Sequence, residues 1–282
     1  MLMTPWPNRT MTCISAMCLT GKGAPDGALL ESWLSMGIMG IEAVPGKFLL
    51  SWPDVDMDEV HALGDFIRSV GMAIPAMQGI LFGKPHAKLF DAPDAFGKEI
   101  ISVARVAEAL GCSRIILGAP AARKRGDTPL SEAMQRAADT LWGICPDLRE
   151  AGVTLLIEHV SKDYGCDFLV SPAEVSELVR EVAHPSLGLH LDVGGMSGAS
   201  DLEFMGQSGH VHASEPGLAP FVASSLHESA ASRARDMSKP WVSLEMLPHP
   251  DGMDGVMKCA RAFSDIYGHH GLRPIPRQGT IS

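Results

Sequence analysis

The stretch from Gly152 to Gly194 decides the fold class, because it holds a strand, a helix and a second strand in close succession. "GVTLLIEHV" (152–160) is a short apolar run of the kind that forms a buried strand. "SPAEVSELVREVAH" (171–184) follows with apolar residues at helical spacing behind a serine that can cap the first turn. "LGLHLDVG" (187–194) is again a short apolar run. This order is typical of a parallel βαβ unit.

The same alternation continues along the chain. The predicted strands are 12–19, 37–44, 71–78, 113–120, 152–160, 187–194, 209–215 and 241–247. The clearest predicted helices are 56–71, 97–111, 131–152 and 171–184. Eight such units in 282 residues most simply close into a (β/α)8 barrel, the TIM-barrel fold. We expect one α/β domain over 1–282, with a core from about 11 to 268 and a short irregular tail over 269–282.

An open, doubly wound sheet is the main alternative fold. No GxGxxG motif follows the first predicted strand, which counts against a dinucleotide-binding version of that fold.

Composition narrows the class of protein. The formal net charge is −10 and no long run of Lys and Arg offsets it, so we expect no nucleic-acid partner. The six cysteines are scattered without a CxxC pair, which indicates reduced thiols. No apolar run is long enough to span a membrane, and the N-terminus does not resemble a signal peptide. We therefore expect a cytoplasmic protein with no membrane partner, and the sequence leaves homo-oligomer formation open.

Polar residues stand where the predicted strands end, the place where a barrel forms its active site. Four successive strands bring Glu158, Asp192, His212 and Glu245 to one ring at the barrel mouth. Three converging carboxylates repel one another unless a cation lies between them. Three oxygen ligands and one imidazole suit one Mn²⁺, Mg²⁺, Co²⁺ or Zn²⁺ ion, and the absence of thiolates argues against a structural zinc.

The segments "LLIEHV", "LHLDVGG", "HVHASEP" and "WVSLEML", in that order, resemble the xylose isomerase-like TIM-barrel superfamily. That superfamily includes sugar isomerases and epimerases, hydroxypyruvate isomerase, inosose dehydratase and endonuclease IV. The resemblance implies that Glu158, Asp192, His212 and Glu245 bind one divalent metal, with Mn²⁺ the first expectation. It also implies that Glu158 and Glu245 act as acid and base on opposite sides of a carbohydrate substrate.

Two positions depart from the pattern of this superfamily. The residue three after the metal-binding aspartate is typically a histidine in ketose epimerases and in endonuclease IV, and here it is Gly195. The arginine that those epimerases carry six residues after the metal histidine is replaced by Leu218. The departures count against a trinuclear zinc nuclease and against a typical ketose 3-epimerase.

Five further residues at or just after strand ends are predicted to contact the substrate. They are Glu42, Gln78, His159, Glu215 and His227. For Glu42 a structural role is the alternative, since an acidic residue after a strand often caps a helix. The cluster "RKRG" (123–126) is expected to be an exposed loop, with a contact to a substrate phosphate as the alternative.

The predicted function is that of a metal-dependent isomerase or epimerase acting on a small sugar, keto-sugar or sugar phosphate. A proton would leave the carbon next to a carbonyl, giving an enediolate, and return to a neighbouring carbon or to the opposite face. Loss of a β-hydroxyl from the same intermediate would instead give a dehydratase of a keto-polyol such as an inosose or dehydroshikimate. A non-catalytic barrel that binds sugar or metal is the second alternative.

Overall fold

Seven parallel strands form one continuous sheet in the computed structural model, which describes residues 10–238 and 241–268. The strands are β1 (Met11–Ser15), β2 (Gly40–Glu42), β3 (Arg114–Leu117), β4 (Thr154–Glu158), β5 (Leu187–Asp192), β6 (Ser208–Ala213) and β7 (Trp241–Leu244). Their spatial order is β2-β1-β7-β6-β5-β4-β3. The two edge strands, β2 and β3, are therefore the ones that an eighth strand must join.

The segment 73–77 fills that gap and closes the barrel. Ile41 donates its backbone N–H to the Ala73 carbonyl at 2.9 Å, and Ile116 donates to the Met77 carbonyl at 2.8 Å. Isolated parallel bridges accordingly connect the segment to both edge strands. Pro75 has no N–H to give to a ladder, which explains why the segment is bridged without forming a full strand. The (β/α)8 barrel predicted from the sequence is confirmed.

Helices follow the strands and surround the barrel. They are α1 (Gly27–Ser35), α2 (Pro45–Phe48), α3 (Met57–Val70), α4 (Pro93–Leu110), α5 (Leu130–Glu150), α6 (Pro172–Val182), α7 (Ser225–Ala234) and α8 (Gly252–Tyr267). Local sequence explains the ends of α3, because the Asp56 side chain accepts the Asp58 N–H at its start and Gly71 adopts φ 93° at its end. The predicted tail 269–282 lies outside the described residues.

No helix within 10–238 or 241–268 combines the length and the apolar character needed to cross a bilayer.

Two groups of side chains, one apolar and one polar, fill the barrel interior below its mouth. On one side Ala76, Ile116 and Leu156 form a small apolar cluster. On the other side, Ser243 contacts His210 and Cys13 through polar atoms, with Oγ 3.1 Å from His210 Nε2 and 2.8 Å from Cys13 Sγ. Glu158 lies two residues after Leu156 on β4, so the two side chains point to the same face of the sheet. The apolar layer therefore forms the floor beneath Glu158.

Gly209 makes room for that floor. The pairing of β5 with β6 runs from Leu189↔Ser208 directly to His190↔His210, so Gly209 is the extra residue of a β-bulge. A Cβ atom at this position would lie 2.8 Å from Leu156 Cδ2. A larger residue here would push Leu156 against its neighbours.

We expect Gly209→Ala to lower the free energy of unfolding by about 1–3 kcal/mol, the usual cost of overpacking a buried site. The cost should shrink in a Leu156→Ala background, where the clashing methyl group is gone. Urea unfolding of the two single variants and the double variant measures this coupling. Equal costs of Gly209→Ala in both backgrounds would contradict the contact.

Candidate active site

The four predicted metal ligands converge because parallel strands end at the same rim. Glu158 and Asp192 are the last residues of β4 and β5, His212 lies near the end of β6, and Glu245 directly follows β7. Asp192 pairs in register with His212. Asp192, His212 and Glu245 are all buried. The strand register thus fixes which side chains meet.

Asp192, His212 and Glu245 form the tightest group, with one ligand atom from each lying within 4.8 Å of the others. Nδ1 of His212 is 2.9 Å from Oε2 of Glu245. The Ser214 hydroxyl donates a short hydrogen bond to Oδ1 of Asp192, and the Gly194 N–H reaches the same oxygen at 3.3 Å. Two carboxylates and one imidazole nitrogen in this arrangement match the donor set of a Mn²⁺, Mg²⁺ or Zn²⁺ site.

Glu158 lies beside this group but outside it. Its carboxylate leans toward Gly118, where an added Cβ would come within 2.6 Å of Oε2, so only glycine fits there. Burial, together with the negative charges of Asp192 and Glu245, raises the pKa of Glu158 to about 8. Burial and Glu245 also raise the pKa of Asp192 to about 6. These carboxylates are electrostatically unfavourable on their own, and a divalent cation among them would remove the conflict.

The structure places Glu42, predicted to contact the substrate, against His212. Both of its carboxylate oxygens face Nε2 of His212, at 3.0 and 3.1 Å, and the side chain is fully buried. Glu42 therefore contacts a candidate metal ligand from behind and is not among the residues that line the cavity. An Nε2–H donated to Glu42 leaves Nδ1 of His212 directed at Asp192 and Glu245, the pattern by which carboxylates orient metal-binding histidines.

The surroundings of His212 strongly raise its pKa. Burial disfavours the charged imidazole, but the two carboxylates of Glu245 and Glu42 outweigh burial and hold the pKa of His212 well above its ordinary value. A cation bound at Nδ1 would displace one of these protons.

A layer of two more histidines lies beneath His212. The ring of His190 packs edge-on against His212 with centroids 4.1 Å apart, and it stacks on His210 at 5.4 Å. Burial holds the pKa of both His190 and His210 well below the ordinary value, so both are neutral. The alternation of His190 with Asp192 along β5 was the sequence signal for this layer.

A cavity of about 530 Å³ opens above the carboxylates. Glu158, Asp192 and Glu245 line its inner end, and Gln78 and Glu215 also reach it. The remaining lining could not be read from the strand ends; it is mostly apolar and comes from the loops after β1, after the segment 73–77, and after β3, β4 and β6. Its members include Met17, Ile80, Leu81, Phe82, Lys84, Lys88, Ala121, Val160, Tyr164 and Leu218.

His159 and His227 do not line this cavity, contrary to their predicted contact with substrate. His227 is buried between Glu215 and Tyr267, with Nε2 3.2 Å from Glu215 Oε1 and Nδ1 2.8 Å from the Tyr267 hydroxyl. His159 is buried behind Gly195, where an added Cβ would lie 3.4 Å from Nε2. Burial lowers the pKa of His159 to about 4. His227 therefore does not line the cavity itself, but it orients Glu215, which does.

The basic cluster 123–126 is not simply an exposed loop. Arg123 is fully buried, and its positive charge lies close enough to Glu158 to act on it. Arg125 holds the loop after β4, because its Nε donates to the Asp167 carbonyl at 2.9 Å and its backbone N–H donates to Asp167 Oδ1 at 3.0 Å. A buried cation beside a carboxylate could not be read from the run of charges alone.

Comparisons with known proteins agree with this architecture. A family model described as xylose isomerase-like TIM barrel matches residues 31–231. Among curated proteins, none matches the chain significantly. A D-psicose 3-epimerase solved in the presence of D-fructose superposes with a TM-score of 0.75 at 14% identity, covering 92% of this chain and 100% of that chain.

Two other solved structures have similar folds. One is an L-ribulose 3-epimerase, with a TM-score of 0.69 and 18% identity over 92% of this chain and 93% of that chain. The other is the probable 3-DHS dehydratase AsbF from Bacillus anthracis, with a TM-score of 0.69 and 15% identity over 93% of this chain and 100% of that chain. At these identities the likeness extends to the fold alone.

We expect Glu42→Gln to weaken Mn²⁺ binding about 10–100-fold, since the variant loses the charge that orients His212. Isothermal titration of the chelator-stripped protein with Mn²⁺ measures the change. Glu177→Gln, on the exposed face of α6, is the matched control and should bind Mn²⁺ like the unaltered protein. Unchanged affinity in Glu42→Gln would contradict the role of this carboxylate.

We also expect Glu158→Gln to stabilise the metal-free protein at pH 8, by up to a few kcal/mol. The pKa of Glu158 is raised to about 8 in the folded state, so ionising it costs folding free energy as the pH rises from about 4.5 to 8. The gain should therefore vanish near pH 4.5. Denaturant unfolding in EDTA at both pH values is the measurement, and a variant less stable at pH 8 would contradict the charge conflict.

Proposed function

Because the chain belongs to the xylose isomerase-like TIM barrel family, we propose that it is a divalent-metal-dependent isomerase or epimerase of a small carbohydrate. The reaction would move a proton on the carbon next to a carbonyl group. The observation that carries the proposal is the placement of Glu158, Asp192 and Glu245 at the inner end of one cavity, with His212 directly against Asp192 and Glu245.

The donor set supports a metal at this place. Asp192, His212 and Glu245 would hold the ion, and Glu158, which lies beside this group, would be the fourth ligand. When bound, a divalent cation supplies Lewis-acid polarisation of the substrate carbonyl and stabilises the negative charge that develops there. Mn²⁺ is the ion we propose, since three carboxylates and one imidazole suit it.

Glu158 and Glu245 would carry the proton. Both carboxylates line the cavity, so a substrate bound there meets one or both of them. One takes the α-proton, and the same or the facing carboxylate returns it to the opposite face or to the neighbouring carbon. The positive charge of Arg123 lowers the pKa of Glu158 and so partly opposes the burial and the negative charges that raise it.

The cavity supports binding of the substrate by polar groups next to the carboxylates. Gln78 lines the cavity and donates through Nε2 to Ser15 Oγ at 2.7 Å, which fixes its amide. Glu215 is fixed by His227 and by the Val222 N–H at 3.1 Å. Both side chains are therefore placed to accept hydrogen bonds from sugar hydroxyls.

The test is proton NMR of the Mn²⁺-loaded protein in D₂O with ketoses, ketose phosphates and inososes. We expect deuterium to appear at a carbon next to a carbonyl, together with a new sugar isomer. Glu158→Gln and Glu245→Gln should each slow the exchange by about 10²–10⁴-fold, the usual contribution of a positioned acid or base. Glu177→Gln is again the control and should exchange at the original rate.

Three outcomes would contradict parts of the proposal. If Glu245→Gln exchanges deuterium at the full rate and Glu158→Gln does not exchange at all, the two-carboxylate mechanism is wrong. An enone signal in place of a sugar isomer would make the protein a dehydratase. Binding of a sugar without any exchange would make it a non-catalytic barrel.

A further inference from the structure

The outer half of the cavity differs in chemistry from its inner end. Glu158, Asp192 and Glu245 are at the bottom, whereas Phe82, Tyr164 and other apolar side chains line the way out. A cavity of about 530 Å³ falls in the range that holds drug-sized ligands, and a single free monosaccharide fills only part of it. We infer that the substrate is a keto-sugar or keto-polyol joined to an apolar, aryl-sized group that binds this outer half. The inference rests on the proposed function for the carbonyl-bearing part of the substrate.

Two aromatic side chains are exposed at the outer half and yet firmly held. Phe82 is 55% exposed and Tyr164 is 53% exposed. The Phe82 ring packs over Gly79, where an added Cβ would lie 2.8 Å from Cε2, and the Phe82 backbone carbonyl accepts the indole N–H of Trp52 at 2.7 Å. The Tyr164 hydroxyl accepts the Gly217 N–H at 2.7 Å. Exposed aromatic surface held in one place is typical of a preformed binding surface, because little conformational entropy is lost when a ligand covers it.

Leu218 adds to this surface at a conformational cost. It has φ 53°, in the left-handed region that leucine rarely adopts. Its N–H donates to the Glu215 carbonyl at 2.9 Å, and its own carbonyl accepts the Leu247 N–H at 3.0 Å. These bonds hold a strained backbone that presents an apolar side chain to the cavity, which points to a role in ligand contact.

The lysines that line the cavity do not favour a phosphate there. Lys84 is largely buried, and its ammonium is 2.7 Å from Glu99 Oε2 and lies over the Trp52 ring. Lys88 donates to the Ala121 carbonyl at 2.7 Å. Because Glu99 neutralises Lys84, Lys88 is the one lysine charge left unpaired among the lining residues described, against four carboxylates in the same cavity. An anionic group on the substrate would therefore meet net repulsion. An uncharged apolar group meets no such repulsion.

Substrate pairs that differ only in the apolar group test the inference. An aryl group joined at the anomeric carbon masks the carbonyl there, so the reacting carbonyl must lie elsewhere on the ring. The probes are therefore phenyl and methyl 3-keto-β-D-glucopyranoside for exchange in D₂O, and phenyl β-D-glucopyranoside, which has no ketone, for binding by calorimetry. We expect kcat/KM for exchange to favour the phenyl probe by about tenfold or more.

Phe82→Ala should lower the ratio of the phenyl to the methyl kcat/KM and weaken binding of phenyl β-D-glucopyranoside. Trp142→Ala is the matched control, because Trp142 is also an exposed aromatic residue, at 63%, but lies on α5 and does not line the cavity. The control should leave both the ratio and the binding unchanged.

The outcomes separate this inference from the proposed function. In one outcome phenyl β-D-glucopyranoside binds, Phe82→Ala weakens that binding, and neither keto probe exchanges. This outcome supports the apolar subsite and overturns the proposed reaction. Equal exchange of both keto probes, with a ratio that Phe82→Ala does not change, overturns the subsite and leaves the reaction standing. If neither binding nor exchange is detected, the inference is overturned.

Discussion

The repulsion among buried carboxylates at the barrel mouth is the constraint on which the rest of the site depends. Burial and mutual charge raise the pKa of both Glu158 and Asp192, so the folded protein holds acidic groups in an environment that disfavours their ionised form. Such an arrangement persists only where surrounding structure imposes it. Here the barrel imposes it, because the strand ends cannot move apart without breaking the parallel ladder.

The side chains behind the carboxylates determine how they are presented. Glu42 fixes the ring of His212, and Ser214 and the Gly194 N–H fix Asp192. Arg123 supplies a positive charge beside Glu158. Each of these contacts comes from a different strand or loop, so the orientation of the ligand atoms is a property of the closed barrel.

The side chains that line the cavity change from acidic at its inner end to mostly apolar at its outer end. Its acidic inner end suits a cation and a carbonyl, and its outer end offers aromatic and aliphatic surface. Leu218 contributes apolar surface to this outer end. The fold is shared with sugar epimerases.

The sequence by itself determined the barrel and the four residues at its mouth, because hydrophobic periodicity and the position of a polar residue at a strand end are local properties. It did not determine the role of Glu42, which depends on a contact with His212 across 170 positions of the chain. Nor did it place His159 and His227 behind the cavity wall or Arg123 in the interior, since a side chain's burial depends on what packs over it. Strand ends can be read from sequence, but only tertiary packing decides whether the side chain found there faces the substrate or the core.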